Sequence, residues 1–225
     1  MVTLFTSYFD CDRSGELQFA LYKNIKCAEI DSIVVVSESG ELPEVIANHR
    51  KVHVIEAPRP TYGDFFRIMR DFDGVRVLSN SDIYFNESAA LFNRIGAKEC
   101  YALTRHEYTK SGIRPFPKEA HWSQDVWVFA EDSEPQDYER YLEVVATTQG
   151  SSLSYKSIPF YLGIAGCDNH IAHLLSNRYR LINPYPQIKA IHVHADDERN
   201  YQIKMRITGN HSRWGQLQKV MPSKL

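Results

Sequence analysis

The sequence predicts an α/β layer fold on a largely parallel sheet, with its chemistry at the carboxyl ends of the strands. Two patterns carry this. Short apolar runs alternate with longer amphipathic ones, and the chemically useful polar residues fall directly after the apolar runs. In open sheets of this kind, ligands bind beyond the carboxyl ends of the strands.

Val2 to Ser7 (VTLFTS) reads as a strand opening into a polar loop. From Asp12 onward Leu17, Ala20, Leu21, Ile25 and Ala28 recur at helical spacing. Ser32 to Ser37 (SIVVVS) leaves no room for polar alternation, which suits a strand covered on both faces. Lys51 to Glu56 makes a third strand, and Pro58 and Pro60 break the chain before a helix carrying Phe65, Phe66, Ile68 and Met69. Gly74 ends that helix and Val75 to Leu78 is a fourth strand; Glu87 to Ile95 reads as helical and Glu99 to Thr104 as extended. Residues 106 to 122, rich in Pro, Gly, Lys and His, read as a long functional loop. Asp125 to Ala130 is a strand, 136–147 and 168–177 are helices, and Ala190 to His194 is a final strand.

The chain has 225 residues, which fits one mid-sized domain or two small ones sharing a core. Its 28 acidic and 26 basic side chains leave a formal charge of −2, which argues against nucleic acid or an anionic membrane as the main partner. With 43% hydrophobic residues a real core is expected, yet no apolar run approaches the ~18 residues of a membrane span. The N-terminus has neither a basic leader nor a small-residue cleavage site, so no secretory signal is expected. Cys11, Cys27, Cys100 and Cys167 show no CxxC spacing, and reduced thiols in a cytoplasmic compartment are the expectation.

The sharpest element is VLSNSDIYF, residues 77 to 85, in which an apolar strand delivers Asn80 and Asp82 at its carboxyl end. On an extended chain, residues i and i+2 point the same way, so the pair could offer two oxygens to one hard cation. The plain alternative is an Asx-turn satisfying local backbone. Near the end of the chain, His192 and His194 alternate with Ile191 and Val193, so both imidazoles face one side. One of them could stack in the core or hydrogen-bond the Asp196-Asp197-Glu198 run; as a ligand, neutral imidazole suits Mn2+ better than Mg2+. Lys189 and Arg199 flank them as phosphate-neutralising candidates or solvated surface charge. His170 and His173, spaced i, i+3, read as one polar helix face.

The NSD run resembles the DxD motif of GT-A-fold glycosyltransferases. The opening VTLFTSYFD, SQDVWVF (123–129), GCDNHIA (166–172) and IKAIHVH (188–194) fall where that family places its parts. No single motif is specific; their order and spacing persuade, over roughly residues 2 to 201. Within the group, the chain is similar to the N-terminal domain of a chlorella-virus enzyme that glycosylates the capsid. The resemblance implies a GT-A-like, Rossmann-related fold with a mixed, mainly parallel sheet flanked by helices, in a single domain over 1–200. Residues 201–225 would then form a C-terminal extension.

The implied function is transfer of a sugar from a nucleotide donor, UDP-linked, to a glycan or glycoprotein acceptor in the cytoplasm (the host's, if the chain is viral). Mn2+ or Mg2+ would sit at Asn80, Asp82 and a late-strand His, His194 or His192. The resemblance puts base and ribose over Thr6, Ser7 and Tyr8, with Asn80 and Ser81 beside them. Arg13 would meet phosphate, and Arg59 and Tyr62 the base. Asp125 and Asp168 are the candidate catalytic carboxylates, although Asp168 could equally cap a helix. Arg105, His106, Trp122, Gln124 and Asn169 are candidates for sugar or acceptor contact. One departure stands out, because the first DxD position is Asn80. A lost charge pair is worth about 4 kcal/mol per unit charge at ~4 Å and an effective dielectric near 20, so the ion would lean on the diphosphate or not be required at all, the first being favoured. A non-catalytic sugar-binding module therefore stays open. A sugar nucleotidyltransferase ranks lower, since the first loop, SYFDCDRSG, holds one glycine.

Overall fold

The computed structural model of the protein describes residues 1–38, 42–119, 123–148, 155–193, 205–207 and 220–225. Its first part is a four-stranded parallel layer. β1 (Val2–Tyr8) pairs on one side with β2 (Ser32–Ser37) and on the other with β4 (Val75–Ser79), and β2 pairs with β3 (Val52–Glu56). Alternation decides which helix covers which face. Leu4, Ile33 and Val35 pack with Leu17, Leu21 and Ile25 of α1 (Ser14–Lys26) and with Ile46 of α2 (Glu44–Ala47). Phe5, Val34 and Val36 pack on the opposite face with Phe65, Phe66 and Met69 of α3 (Tyr62–Met69) and with Ile171 and Leu175 of α4 (Cys167–Ser176). β2, buried on both faces, is apolar from Ile33 to Val36, as the SIVVVS run predicts, whereas the edge strand β3 leaves His53, Val54 and Glu56 exposed. α3 starts where Thr61 accepts from the Asp64 amide and Asp64 accepts in return, a capping box placed directly after Pro60.

The second part is mixed. β8 (Gln124–Phe129) is antiparallel both to β4 and to β6 (Glu99–Thr109). β12 (Ala190–Val193) then runs parallel to β6 and antiparallel to β5 (Ile83–Tyr84), which completes the path β3-β2-β1-β4-β8-β6-β12-β5. β7 (Gly112–Pro115) and β11 (Arg180–Ile182) also pair with β6, and a separate small sheet orders β10 (Tyr155–Pro159), β9 (Glu143–Thr148) and β13 (Met205–Ile207).

Three expectations change. The part of the expected 106–122 loop that is described opens as a hairpin: β6 runs on to Thr109, turns through Gly112 at φ +105° and returns as β7. Arg105, just before the segment, lines the functional cavity and Glu107 pairs with Arg105 and His192 behind it, so this polarity marks a strand beside the site and not a loop. The expected 136–147 helix is a short 3-10 turn (Tyr138–Tyr141) followed by β9, because the β-branched run from Val144 onward favours a strand. Glu87–Arg94 forms 3-10 turns in place of an α-helix. All four cysteines are free thiols, and among the described residues no helix is long and apolar enough to cross a membrane.

β4, which delivers the NSD run, is pinned by a buried arginine. Arg76 is 1% exposed; its guanidinium donates to Met69 O (2.9 Å) and Gly74 O (3.2 Å) and lies 3.2 Å from the buried Glu134 carboxylate. Removing one partner of a buried pair strands the other charge, at about 3–5 kcal/mol. Arg76→Met is therefore expected to destabilise the fold by that amount in denaturant titration. Adding Glu134→Gln should restore part of the loss.

Candidate active site

A cavity of about 680 Å3 opens at the carboxyl ends of β1 and β4, walled by the start of α1, the NSD turn, β6 and the 162–168 loop. The chain leaves β4 at Ser79 and turns at once, with the Ile83 amide donating to Asn80 O at 3.3 Å. Because residues 80–82 turn and do not continue the strand, Asn80 and Asp82 take different partners. Asn80 donates its backbone amide to Asp125 O (3.1 Å) and its Nδ2 to Asp125 Oδ1 (2.8 Å). Ser123 Oγ donates to Asp125 Oδ2 at 2.5 Å, and Arg105 Nη1 lies 3.5 Å from the same oxygen.

Asp82 faces the other way, toward β12. Its carbonyl accepts from the Val193 amide (2.8 Å), and the β5–β12 pairing sets His192 opposite Ile83. The parallel register of β12 on β6 sets His192 beside Glu107 as well. The imidazole therefore lies between two carboxylates, with Nε2 3.2 Å from Asp82 Oδ2 and Nδ1 2.8 Å from Glu107 Oε2. Arg13 Nη2 donates to Asp82 Oδ2 (3.2 Å) and to Val193 O (3.3 Å), while its Nε donates to Glu16 (2.5 Å). Asp82 Oδ1 is buried and, among the described residues, has no hydrogen-bond partner.

The electrostatics follow from this packing. Burial alone would lower the His192 pKa, but its hydrogen bonds to Asp82 and Glu107 push it up to about 9. Burial works to raise both carboxylates; the His192 and Arg105 charges instead pull Glu107 down to about 2, and His192 with Arg13 holds Asp82 below its usual range. Asp168 behaves in the opposite sense. Gly166, at φ +85°, turns the chain into α4 so that Asp168 enters the cavity wall in the first helical turn. Burial, reinforced by the nearby Asp125 charge, pushes Asp168 up to about 7, against a hydrogen bond from Cys167 Sγ (3.1 Å) and the Arg105 charge.

Of the residues singled out in the sequence, the cavity brings together Ser7, Arg13, Arg59, Asn80, Ser81, Asp82, Arg105, Asp125, Asp168 and His192. Ser7 Oγ and Ser81 Oγ lie 3.0 Å apart and tie the ends of β1 and β4 together. Arg59 donates to Leu162 O (2.9 Å) and stacks 4.7 Å from the Tyr161 ring. Thr6, Tyr8, Tyr62, His106, Gln124, Asn169 and Lys189 lie off the cavity wall. Thr6 is buried in β1, the Tyr8 hydroxyl accepts from Gln18 Nε2 (3.0 Å), and the Tyr62 hydroxyl donates to Cys167 Sγ (3.8 Å). Gln124 is buried in β8, and the His106 ring stacks on Tyr185 at 4.9 Å. Lys189 donates its backbone amide to Ser88. His170 packs edge-on against the buried Phe160, its ring centroid 5.2 Å away, a packing contact where a polar helix face was expected. Trp122, His194 and Arg199 lie outside the described residues.

Glu107, Glu16 and Ser123 escaped the sequence reading. Each nonetheless carries a positional signal: Glu107 is i+2 from Arg105 on a strand, Glu16 is i+3 from Arg13 on a helix, and Ser123 is i−2 from Asp125.

Among the described residues no cluster of three or more His, Cys, Asp or Glu side chains is arranged to hold an ion. Two potential ligands do converge, however. Asp82 Oδ1 is an orphaned acceptor, and His192 turns Nε2 toward the same carboxylate while Glu107 holds Nδ1, the second-shell pattern that orients metal-bound imidazoles. Asn80 commits its Nδ2 to Asp125, so its carbonyl oxygen points away from that bond. One carboxylate and one imidazole, completed by diphosphate oxygens, fit Mn2+ better than Mg2+, which prefers an all-oxygen shell.

No protein-family model and no curated protein matches the chain. Among solved structures, the mannosyltransferase PcManGT from Pyrobaculum calidifontis, in complex with GDP-Man and Mn2+, superposes with a TM-score of 0.54 at 14% identity, over 89% of this chain and 58% of that one. The fold is GT-A-like. The GT-A-like chain thus spans little more than half of that mannosyltransferase. Looser likenesses are to 4-diphosphocytidyl-2C-methyl-D-erythritol synthase from Anaerococcus prevotii and to S. aureus TarS in complex with UDP-GlcNAc. The first has a TM-score of 0.47 at 11% identity, over 84% of this chain and 89% of that one. The second has 0.42 at 14% identity, over 90% and 60%.

Proposed function

We propose that the protein is a glycosyltransferase that moves a sugar from a UDP-linked donor to a glycan or glycoprotein acceptor. The observation that carries this is a single cavity, at the carboxyl ends of a GT-A-like sheet, that joins the Asp82–His192 pair to the Asp125–Asp168 pair. Asp82 and His192 would hold a divalent ion, which when bound neutralises diphosphate charge as the nucleotide departs. Arg13 and Arg59 line the same cavity and add positive charge for phosphate.

Asp125, gripped by Asn80, Ser123 and Arg105, is an oriented anion suited to hydrogen-bonding sugar hydroxyls. Asp168 is the general base. Its carboxylate takes the proton of the acceptor hydroxyl, the acceptor oxygen bonds to the sugar's anomeric carbon, and the bond from that carbon to the diphosphate breaks with its electrons leaving on UDP. A base whose pKa sits near neutrality is well matched to this step. Because Asp168 must be ionised to act, the transfer rate is expected to rise with pH through about 7.

Isothermal titration with UDP, with and without Mn2+, tests the reading. Binding strengthened by Mn2+ is expected, and no binding at millimolar UDP overturns it. The neutral Asn80 keeps a second reading in play, a binding module without turnover. An active enzyme releases some free sugar from a UDP-sugar with Mn2+, whereas a pure binder releases none.

A further inference from the structure

The geometry points to Glu107 as a positioning residue that holds the cation side and the acceptor side of the site in one arrangement. It lies off the cavity wall, yet each of its carboxylate oxygens grips a residue that reaches the cavity. Oε1 accepts from Arg105 Nε at 2.8 Å, and Oε2 faces His192 Nδ1 at 2.8 Å. Arg105 continues to Asp125 Oδ2 at 3.5 Å, and His192 continues to Asp82 Oδ2 at 3.2 Å. A chain of contacts thus runs Asp82–His192–Glu107–Arg105–Asp125 from the turn after β4 across β12, β6 and β8, with Glu107 at its middle. The register supplies it: Glu107 stands beside His192 on paired parallel strands and two residues from Arg105 on the same strand.

Two donors converge on Glu107, and a carboxylate meets both because it offers two acceptor oxygens. A glutamine of the same size offers one oxygen and one NH2 group. If the glutamine oxygen stays on Arg105, its NH2 confronts His192 Nδ1, which must then give up its proton and accept. The proton of a neutral imidazole moves to Nε2, and the nitrogen facing Asp82 changes from lone pair to N–H. If the glutamine turns round instead, Arg105 loses its anchor and Asp125 loses its oriented cation. Either outcome disables one half of the site without removing any cavity-lining group.

This inference rests on the reading of Asp82 and His192 as cation ligands, and the test separates the two. UDP binding is measured by calorimetry with and without Mn2+, on the wild-type protein and on Glu107→Gln. The strengthening by Mn2+ is expected to fall about 10- to 100-fold in the variant, the usual cost of losing a second-shell partner. UDP affinity without Mn2+ should change less than twofold. Wild type that binds UDP with Mn2+ and a variant that does so equally well overturn the role of Glu107 alone. Wild type that shows no effect of Mn2+ overturns the ligand reading and this inference with it. A second measurement needs no variant: in 15N-histidine spectra of the wild-type complex with UDP and Zn2+, a diamagnetic ion that accepts imidazole nitrogen, His192 should carry its one proton on Nδ1. A proton on Nε2 overturns the inference even if Glu107→Gln fails to fold.

Discussion

Replacing Asp82 by alanine is expected to lower Mn2+-dependent UDP binding by about three orders of magnitude and to abolish measurable sugar transfer. The size follows from one charge contact at ~4 Å in an effective dielectric near 20, about 4 kcal/mol, or close to three decades. The fold should survive with some loss of stability: Asp82 sits in a turn, but its removal takes a partner from the buried His192 and from Arg13. A folded protein with lost Mn2+ dependence is therefore the signature. Asn80→Asp is the counterpart. It adds a charge beside Asp125 and loses the Nδ2 bond, so it tightens the ion only if the ion draws Asn80 into its shell. Asp82→Ala that transfers sugar at the wild-type rate means the cation site is misplaced.

The second large effect is that of Asp168→Asn. As the base, Asp168 contributes about 10²- to 10⁴-fold to the rate, and its amide should lose that factor while donor binding changes little. Stability should move in the opposite direction. The folded pKa of Asp168 lies near 7, above an ordinary value of 3.8, so the folded state holds this proton more tightly than the unfolded chain. The stabilisation that the wild type draws from the protonated form is complete below about 3.8 and is lost as pH rises toward 7. Asparagine carries no charge to bury. The variant should therefore melt higher than wild type at pH 8, by about 2–4 °C for each kcal/mol relieved, and the gap should close as the pH falls toward 4. A variant that is fully active, or that shows no gap at pH 8, would remove Asp168 from its role.

How much of this was legible in the sequence depended on where each signal was local. In the parallel half, β1, β2 and β4 were readable because both of their faces are buried, and alternate residues of β1 and β2 pack on α1 and on α3. The mixed half was harder. Polar site residues on β6 disguised a strand as a loop, and the short β5 and β11 are fixed only by partners far away in sequence. The same distinction applies to the site. Asp82, Asp125 and Asp168 each follow or open an element, so position alone suggested them. Glu107 could not be found that way, because its importance comes from β12 arriving in register beside β6. The i, i+2 argument for Asn80 and Asp82 assumed an extended chain where the backbone turns, and the turn sends the two side chains to separate partners. Tyr62 and His106 looked like contact residues by type, but the packing of α3 and of the Tyr185 ring takes them away from the cavity wall.

The central claim is that a divalent cation is held between Asp82 and His192 when a UDP-sugar is bound. A crystal grown with Mn2+ and UDP, with diffraction recorded at the manganese absorption edge, tests it most directly. The account predicts one anomalous peak within coordination distance of an Asp82 carboxylate oxygen and His192 Nε2, with diphosphate oxygens completing the shell. A peak elsewhere in the cavity, or bound nucleotide with no peak beside Asp82, would contradict it.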